Sequence, residues 1–429
     1  MRRGRKDCAK EEPMARWEGF TEEQRMIIMH LGDLHLGKTL GEFSLLDDQS
    51  YMLDRILEVI DQRKVQVLLV AGDIYDRSVP PEDAVALFDR FLKELADRKV
   101  EAFFISGNHD SEERINYGSR LFDYCGIHMA GKYEGKLAKY TLEDEFGPVN
   151  IYLLPFVKAS LVRHYHTEAE IHNYEDAVRT VIAAADIRTN ERNIIVSHQF
   201  VIGSGSVSEL ETACAKNPGK LPEEVSNLLD GSESVAVSSV GLVEEIGYRV
   251  YDAFDYAALG HIHSSRFVGR EEVRYSGSLL KYSLRETGSE KTVPILNMKE
   301  KGCVETELLH IAPLHDLRHI KGKMADLLQS ASLGNPQDYI YATLTDEEPV
   351  PDVMRIFQQT YPKTVKIDIE NSHTKQVTEE DLTPAETNLS FTELITAFYA
   401  SIYGSEITEE ELRMVKEAAR EAGVDNEAD

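Results

Sequence analysis

Four cysteines, Cys8, Cys125, Cys214 and Cys303, are spread through 429 residues without one CxxC pair. Such dispersal argues against a disulfide framework and against a thiolate zinc site. Long apolar runs are also missing: stretches such as Val65 to Ala71 are of strand length, far short of the roughly 20 residues that cross a bilayer. No membrane span is expected. The N-terminus MRRGRKDCAKEEP is basic but has no apolar stretch behind it, so no secretory signal is expected and the cytoplasm is the expected location. Positive charge is scarce overall, with 47 Lys and Arg against 75 Asp and Glu and a formal net charge of −28. A surface of that sign repels phosphate backbones and acidic membranes at long range, so a partner of that kind needs local positive charge.

What is present is the composition of a soluble globular chain, 42% hydrophobic and 28% charged, with length for two or three cores. Residues 1–25 read as a polar leader, and Met1, Met14 and Met26 are each candidate starts. From Met26 the pattern becomes MIIMHL, YMLDRILEVIDQRK, VQVLLVAG, AVALFDRFLKELADR and EAFFISG, which is β-α-β-α-β. Met52, Leu53, Ile56, Leu57 and Ile60 fall at the three-and-four spacing of one buried helical stripe. Further buried strands are expected near Asn150 to Pro155, Asn193 to Ser197, Tyr256 to Leu259 and Val273 to Ser276. The expected division is a first domain over 26–310, a small α/β module over 311–375 and an acidic tail over 376–429. In the module a helix is expected from Leu317 to Gln329, then strand, helix and strand at Tyr339 to Leu344, Pro351 to Tyr361 and Thr364 to Ile369. Residues 370–429 carry 15 acidic against 4 basic residues, a local net of −11. Phe391, Leu394, Ile395, Phe398 and Ile402 form an apolar stripe there, and Thr408 with Glu411 has the pattern of a capping box.

Five segments share one feature: a hydrophobic strand ends, and side chains able to ligate metal follow at once. They are Asp33-Leu34-His35, Gly72-Asp73, Gly107-Asn108-His109-Asp110, Ser197-His198-Gln199 and Gly260-His261-Ile262-His263. In open α/β sheets the carboxyl ends of the strands border the ligand crevice, so these residues are expected to converge in space. The set suits two divalent cations roughly 3.5–4 Å apart. Two cations at that separation need a shared anion, for which Asp73 is the natural bridge; Asp33, Asn108, His35, His198, His261 and His263 complete two open shells. Nitrogen and oxygen donors without thiolate suit Mn²⁺, Fe²⁺ or Zn²⁺ better than Ca²⁺. In an extended segment the i and i+2 histidines of GHIH lie on one face, each able to serve a different ion.

Such a centre suits hydrolysis of a phosphate ester, since the cations polarise phosphoryl oxygens and lower the pKa of a bound water toward 7. The leaving alkoxide then needs a proton. His109, beside Asn108 but not required as a ligand, is the candidate general acid, with Asp110 as an orienting neighbour. Lys38, Arg77, Arg114, Lys281 and Arg285 lie near the motifs and are candidates for a local basic rim. The ligands alone leave the substrate open: a nucleic acid, a small phosphodiester or a phosphoprotein, or none if the chain is mainly a scaffold.

The motifs DLH, GD, GNHD, SH and GHIH resemble the calcineurin-like metallophosphoesterase superfamily. HLGDLHLG, VAGDIYDRSVPP, ISGNHDS, ALGHIH and YSGSLLKYSLRE are similar to its SbcD-type branch of bacterial nuclease subunits, over about residues 26–310 and more loosely in layout beyond. That resemblance implies a four-layer α/β/β/α core with a small C-terminal α/β cap domain and terminal helices. It also implies two Mn²⁺ ions, double-strand exonuclease and single-strand endonuclease activity on DNA ends and hairpins, and an ATPase partner, SbcC. It places Asp33, His35, Asp73 and His263 on one ion and Asp73, Asn108, His198 and His261 on the other. A homodimer of nuclease subunits within a heterotetramer is implied too, with C-terminal helices on the SbcC coiled coil, which would give the Phe391 to Ile402 stripe a partner. Two departures stand out: Gly32 where serine is more usual, and a long segment from Gly203 to Gly247.

Overall fold

A computed structural model describes residues 25–203, 245–329, 334–348 and 350–371, together with 396, 407–408 and 412–414. The leader, most of the segment between Gly203 and Gly247, the apolar stripe in the acidic tail and Glu411 of the capping-box pattern lie outside the described residues.

Two six-stranded sheets organise the first compact unit, residues 1–317. The strands of the two sheets are β1 (Met26–Leu31), β2 (Val67–Ala71), β3 (Glu101–Ile105), β4 (Ile127–Ala130), β5 (Ala138–Asp144), β6 (Gly147–Leu154), β7 (Arg192–His198), β8 (Tyr256–Gly260), β9 (Arg266–Val268), β10 (Arg270–Tyr275), β11 (Thr292–Met298) and β12 (Val304–His310). One sheet runs β12-β11-β1-β2-β3-β4, parallel from β1 to β4 and antiparallel at β11 and β12. The other runs β9-β10-β8-β7-β6-β5, parallel from β10 to β6 and closed at each edge by an antiparallel strand.

Central strands of a parallel sheet are covered on both faces, so they read as unbroken apolar runs. In β2, Val67, Leu69 and Ala71 face the second sheet, where they join Phe103, Ile151, Ile194, Val196 and Ala258 in one core. By the period of two, Leu68 and Val70 point the other way and are also fully buried. Helices α1 (Leu46–Arg63) and α2 (Glu82–Asp97) connect the parallel strands of the first sheet. Their inward faces bury Met52, Leu53, Ile56 and Ile60, and Leu87, Phe88, Phe91 and Leu95. Beyond the second sheet a separate core packs Val178 and Val181 of α3 (Tyr174–Ala184) with Tyr152, Leu154, Ile195 and Leu259. The layers are therefore α/β/β/α.

The second compact unit, residues 318–429, contains a three-stranded sheet of β13 (Leu317–Gly322), β14 (Tyr339–Leu344) and β15 (Thr364–Ile369), in that order. Helices α4 (Met324–Gln329) and α5 (Val353–Thr360) pack Leu327 and Phe357 on Ile340, Ala342 and Leu344. The helix expected over Leu317 to Gln329 is corrected here: its first half is β13, and only its second half is helical. Leu317, Ile320, Met324 and Leu327 do sit at helical spacing, but β14 needs a second neighbour for its backbone groups, and that demand outweighs local propensity. The edge strands β5 and β12 lack a continuous apolar run; in β5 Ala138, Tyr140 and Leu142 alternate with Lys139, Thr141 and Glu143, so one face is wet. Among the described residues no helix is long and apolar enough to cross a membrane.

Candidate active site

Parallel strands put their C-terminal ends on one edge, and every ligand-type side chain singled out in the sequence follows such an end. Asp33 and His35 follow β1, Asp73 follows β2, Asn108 follows β3, His198 ends β7, and His261 and His263 follow β8. The two sheets meet closely there. A Cβ on Gly260 would lie 1.8 Å from the carbonyl oxygen of Ala71, and one on Gly107 would lie 2.1 Å from Asp73 Oδ1. Gly260→Ala therefore forces backbone apart and is expected to destabilise the fold by roughly 3 kcal/mol or more, measurable as a drop in the denaturant midpoint.

Asp33, His35, Asp73 and His261 all have positive φ, at 52°, 44°, 49° and 104°. Non-glycine residues in that region carry about 1–3 kcal/mol of strain each and persist only where the surroundings over-determine them. The surroundings are polar and dense. Asp33 N and His35 N donate to Gly72 O and Asp73 O at 3.1 and 2.9 Å. Gln49 donates through Nε2 to His35 O (2.7 Å) and Leu34 O (3.2 Å) and accepts from Gly37 N (2.9 Å), while the Tyr282 hydroxyl donates to Leu34 O at 2.5 Å. Gln49→Ala removes three of these bonds inside a buried site. It is expected to cost about 1–3 kcal/mol, read from the denaturant midpoint; an unchanged midpoint would show that the loop is held without Gln49.

The inward-facing atoms form two groups that share Asp73. His35 Nε2 and His263 Nε2 face each other at 3.1 Å, with Asp33 completing a cluster whose ligand atoms lie within 4.8 Å of one another. Asn108 Oδ1 lies 3.0 Å from both His198 Nε2 and His261 Nδ1. Between the groups, Asp73 Oδ2 is 3.6 Å from His35 Nε2 and 3.4 Å from His198 Nε2. One oxygen of Asp33 accepts from His261 N at 2.8 Å; the other, Oδ2, is buried with no hydrogen-bond partner among the described residues. A buried carboxylate oxygen without a donor is unfavourable unless a cation faces it. The donor set therefore fits two divalent ions.

Electrostatics split the site. Burial raises the Asp33 carboxyl, with the Asp73 charge adding to that. Asp73 goes the other way: burial opposes its charge, but His198 beside it holds the carboxyl well below the usual range. His198 answers to the same pair, burial opposing its charge and Asp73 lifting it to about 9. Burial pushes His261 down to about 3 and lowers His35 as well.

His109 sits beside this centre, its ring 4.8 Å from that of His35 and edge-on. Its main-chain N donates to Asp73 Oδ1 at 2.9 Å, and its Nδ1 donates to the carbonyl of Asp76 at 2.9 Å. Asp110 is not the neighbour that orients the ring. Its two oxygens accept from the main-chain N of Ile74, Tyr75 and Gly107 at 3.0, 2.9 and 3.0 Å, stapling the Asp73 loop to the Asn108 loop. Burial pushes that carboxyl up to about 6, with Asp73 adding to the effect.

The five basic candidates fare unequally. Lys38 donates to Asp76 Oδ1 at 3.0 Å, and Lys281 is bound to Asp316 and to the carbonyls of Thr287 and Leu317, so both are engaged within the fold. Arg77 is 58% exposed, with Nη2 3.8 Å from Asp76. Arg114 and Arg285 are exposed. Sequence reasoning missed Gln49, Tyr282, Glu286 and Lys291, which hold the site residues, and Asp76, whose carboxylate groups with His35 and His109, their ligand atoms within 4.8 Å of one another. A signal existed for Gln49, a polar residue three and four positions before Met52 and Leu53 on the buried stripe.

Residues 26–265 match the calcineurin-like phosphoesterase family, and residues 313–403 match the type 5 capsule protein repressor C-terminal domain. A curated relative, the SbcD subunit of the SbcCD nuclease from Staphylococcus epidermidis, is 28% identical over 348 residues, covering 80% of this chain and 85% of its own. Among solved structures, a Thermus thermophilus protein aligns with TM-score 0.36 at 7% identity over 66% of this chain and 99% of its own. A dimetal phosphatase from Danio rerio aligns with TM-score 0.33 at 13% identity over 67% and 99%. With a match spanning more than half its length and two sheets whose strand ends gather the motif residues, the chain belongs to the calcineurin-like phosphoesterase family.

Proposed function

We propose that this chain is a DNA nuclease subunit that hydrolyses phosphodiesters at a two-metal centre, with Mn²⁺ as the working ion. The supporting observation is the pair of facing nitrogens, His35 Nε2 and His263 Nε2, 3.1 Å apart beside the unpartnered Asp33 Oδ2, with Asp73 Oδ2 turned toward both histidine groups. In one tautomer His35 Nε2 donates to His263 Nε2, which still leaves the accepting-only Asp33 Oδ2 without a donor; a shared cation satisfies all three atoms. In this reading Asp33, His35, Asp73 and His263 hold one ion, and Asp73, Asn108, His198 and His261 the other. Ions held there would supply Lewis acidity toward phosphoryl oxygens and would make hydroxide available near neutral pH.

The remaining work falls to the protein. Asp73 fixes the spacing of the two groups and, through Oδ1, the main chain of His109. With its Nδ1 hydrogen committed to Asp76 O, His109 presents Nε2 as the nitrogen that delivers a proton to the leaving oxygen. Asp110 keeps the two loops in register. Arg77, Arg114 and Arg285 are the exposed members of the proposed basic rim, and Lys38 and Lys281 shape its base. The partner proposed is an SbcC-type ATPase, bound through the acidic tail at 376–429, with two nuclease subunits in a heterotetramer that works on DNA ends and hairpins in the cytoplasm. An acidic chain of net charge −28 holds DNA weakly alone, so much of the grip comes from that partner.

The test is degradation of an end-labelled linear duplex with Mn²⁺, with and without the ATPase partner, beside an aryl phosphodiester. Metal-dependent degradation of the duplex, enhanced by the partner, is the expected result. Turnover of the aryl ester with the duplex untouched would assign the site to small phosphodiesters instead.

A further inference from the structure

His263 differs from the other three imidazoles at the centre in what stands behind it. His198 donates its outer nitrogen to a main-chain carbonyl, Ala71 O, at 2.7 Å. His261 turns Nδ1 inward, to Asn108. His35 has its Nδ1 3.7 Å from Asp76 Oδ1, beyond hydrogen-bond distance. Among the described residues, His263 alone of the four has a carboxylate within hydrogen-bond distance of its outer nitrogen: Nδ1 lies 3.3 Å from Glu286 Oε1. Glu286 is 4% exposed, on a short turn at Leu284–Gly288, and its other oxygen accepts from Lys291 Nζ at 2.5 Å. The same ammonium donates to the carbonyl of His263 at 2.8 Å and to Ser278 Oγ at 2.9 Å, while Ser278 N donates to that carbonyl at 3.0 Å. Ring and main chain of His263 are thus held by one buried unit.

Elementary hydrogen-bond chemistry gives this unit a direction. A carboxylate only accepts, so His263 Nδ1 carries the hydrogen and Nε2 is left as the lone-pair nitrogen facing His35 Nε2. The adjacent negative charge also makes that lone pair a stronger donor to a cation. Burying a lysine and a glutamate together is seldom a net stabiliser, because desolvation offsets most of their attraction. A buried pair spent on one imidazole therefore points to a task at the centre.

We propose that Glu286, held by Lys291, is a positioning residue that fixes the tautomer and orientation of His263 and thereby sets the metal affinity of the Asp33, His35 and His263 group. This rests on the two-metal reading above.

The experiment is a calorimetric Mn²⁺ titration of the full chain, paired with thermal unfolding of the metal-free protein. Wild type is expected to bind two ions. The double variant Glu286→Leu with Lys291→Met replaces the ion pair by apolar groups of similar size, an exchange that is often neutral for stability, and leaves His263 Nδ1 without its acceptor. It is expected to unfold with the wild-type midpoint yet bind one of the two ions about 10–100-fold more weakly. The single change Glu286→Ala should weaken the same ion at least as much, with an added loss of stability from the unpaired lysine. A folded double variant with the wild-type isotherm would overturn the role of Glu286 and leave the two-metal reading standing. A wild-type chain that takes up no Mn²⁺ would overturn both.

Discussion

Replacing His109 by glutamine is expected to lower kcat on a phosphodiester roughly 10²–10⁴-fold while leaving Mn²⁺ binding and the unfolding midpoint as in wild type. That range corresponds to about 3–5 kcal/mol of transition-state stabilisation. The separation follows from geometry. His109 is hydrogen-bonded to the centre through its main chain, which donates to Asp73 Oδ1, and glutamine keeps that bond, while the histidine ring only packs edge-on against His35. Its ring is tied instead to the carbonyl of Asp76, outside both ligand groups. Removing a ligand such as His263 should lower metal affinity and rate together. A second readout isolates the proton: with a nitrophenyl leaving group, which departs without protonation, the same variant should lose far less. Wild-type kcat for His109→Gln on an alkyl phosphodiester would remove His109 from the chemistry.

Legibility in the sequence tracks burial: the parts that can be read from residue order alone are those covered on both faces. Strands β1, β2, β3, β7 and β8 each carry an apolar run, interrupted in β1 by His30 and confined in β7 to Ile194, Ile195 and Val196, and the ligand-type residues follow those runs closely, so strands and candidate ligands are legible together. Strands β5 and β12 are harder to read, since their one signal is the short alternation of a strand with one wet face. The helical reading of Leu317 to Gln329 fails at β13, where a neighbouring strand decides conformation and spacing along the chain cannot report it. The orienting role expected of Asp110 rests on adjacency to His109. In the fold, adjacency turns the carboxylate toward three main-chain amides instead, and the ring finds its partner 33 residues earlier, at Asp76. Glu286 and Lys291 lie within and beside a motif, yet nothing in the order of residues says that a glutamate 23 positions after His263 returns to its ring.

Acid is expected to unfold this protein partly through one histidine outside the metal groups. His30, on β1, points between the two sheets, fully buried, with Nδ1 3.1 Å from the Tyr256 hydroxyl and Nε2 without a hydrogen-bond partner among the described residues. Burial, helped by the charge of Arg274, pushes its pKa down to about 3, against 6.5 for an ordinary histidine. The unfolded chain therefore takes up a proton between pH 6.5 and 3 that the folded chain refuses, so stability falls as pH drops through that window and is complete above it. At about 1.4 kcal/mol per unit, the loss from this group is roughly 2 kcal/mol by pH 5 and about 5 kcal/mol at the bottom of the window. His30→Leu removes the titration and leaves the Tyr256 hydroxyl without its partner, at a cost of about 1–3 kcal/mol near pH 7.5. The variant should start less stable and lose less on acidification, so the difference between the two proteins should shrink by roughly 2 kcal/mol between pH 7.5 and pH 5. Other titrating groups act on both proteins and cancel in that difference. Denaturant unfolding at both pH values measures it, and a constant gap would show that His30 takes up its proton in the folded state as readily as in the unfolded one.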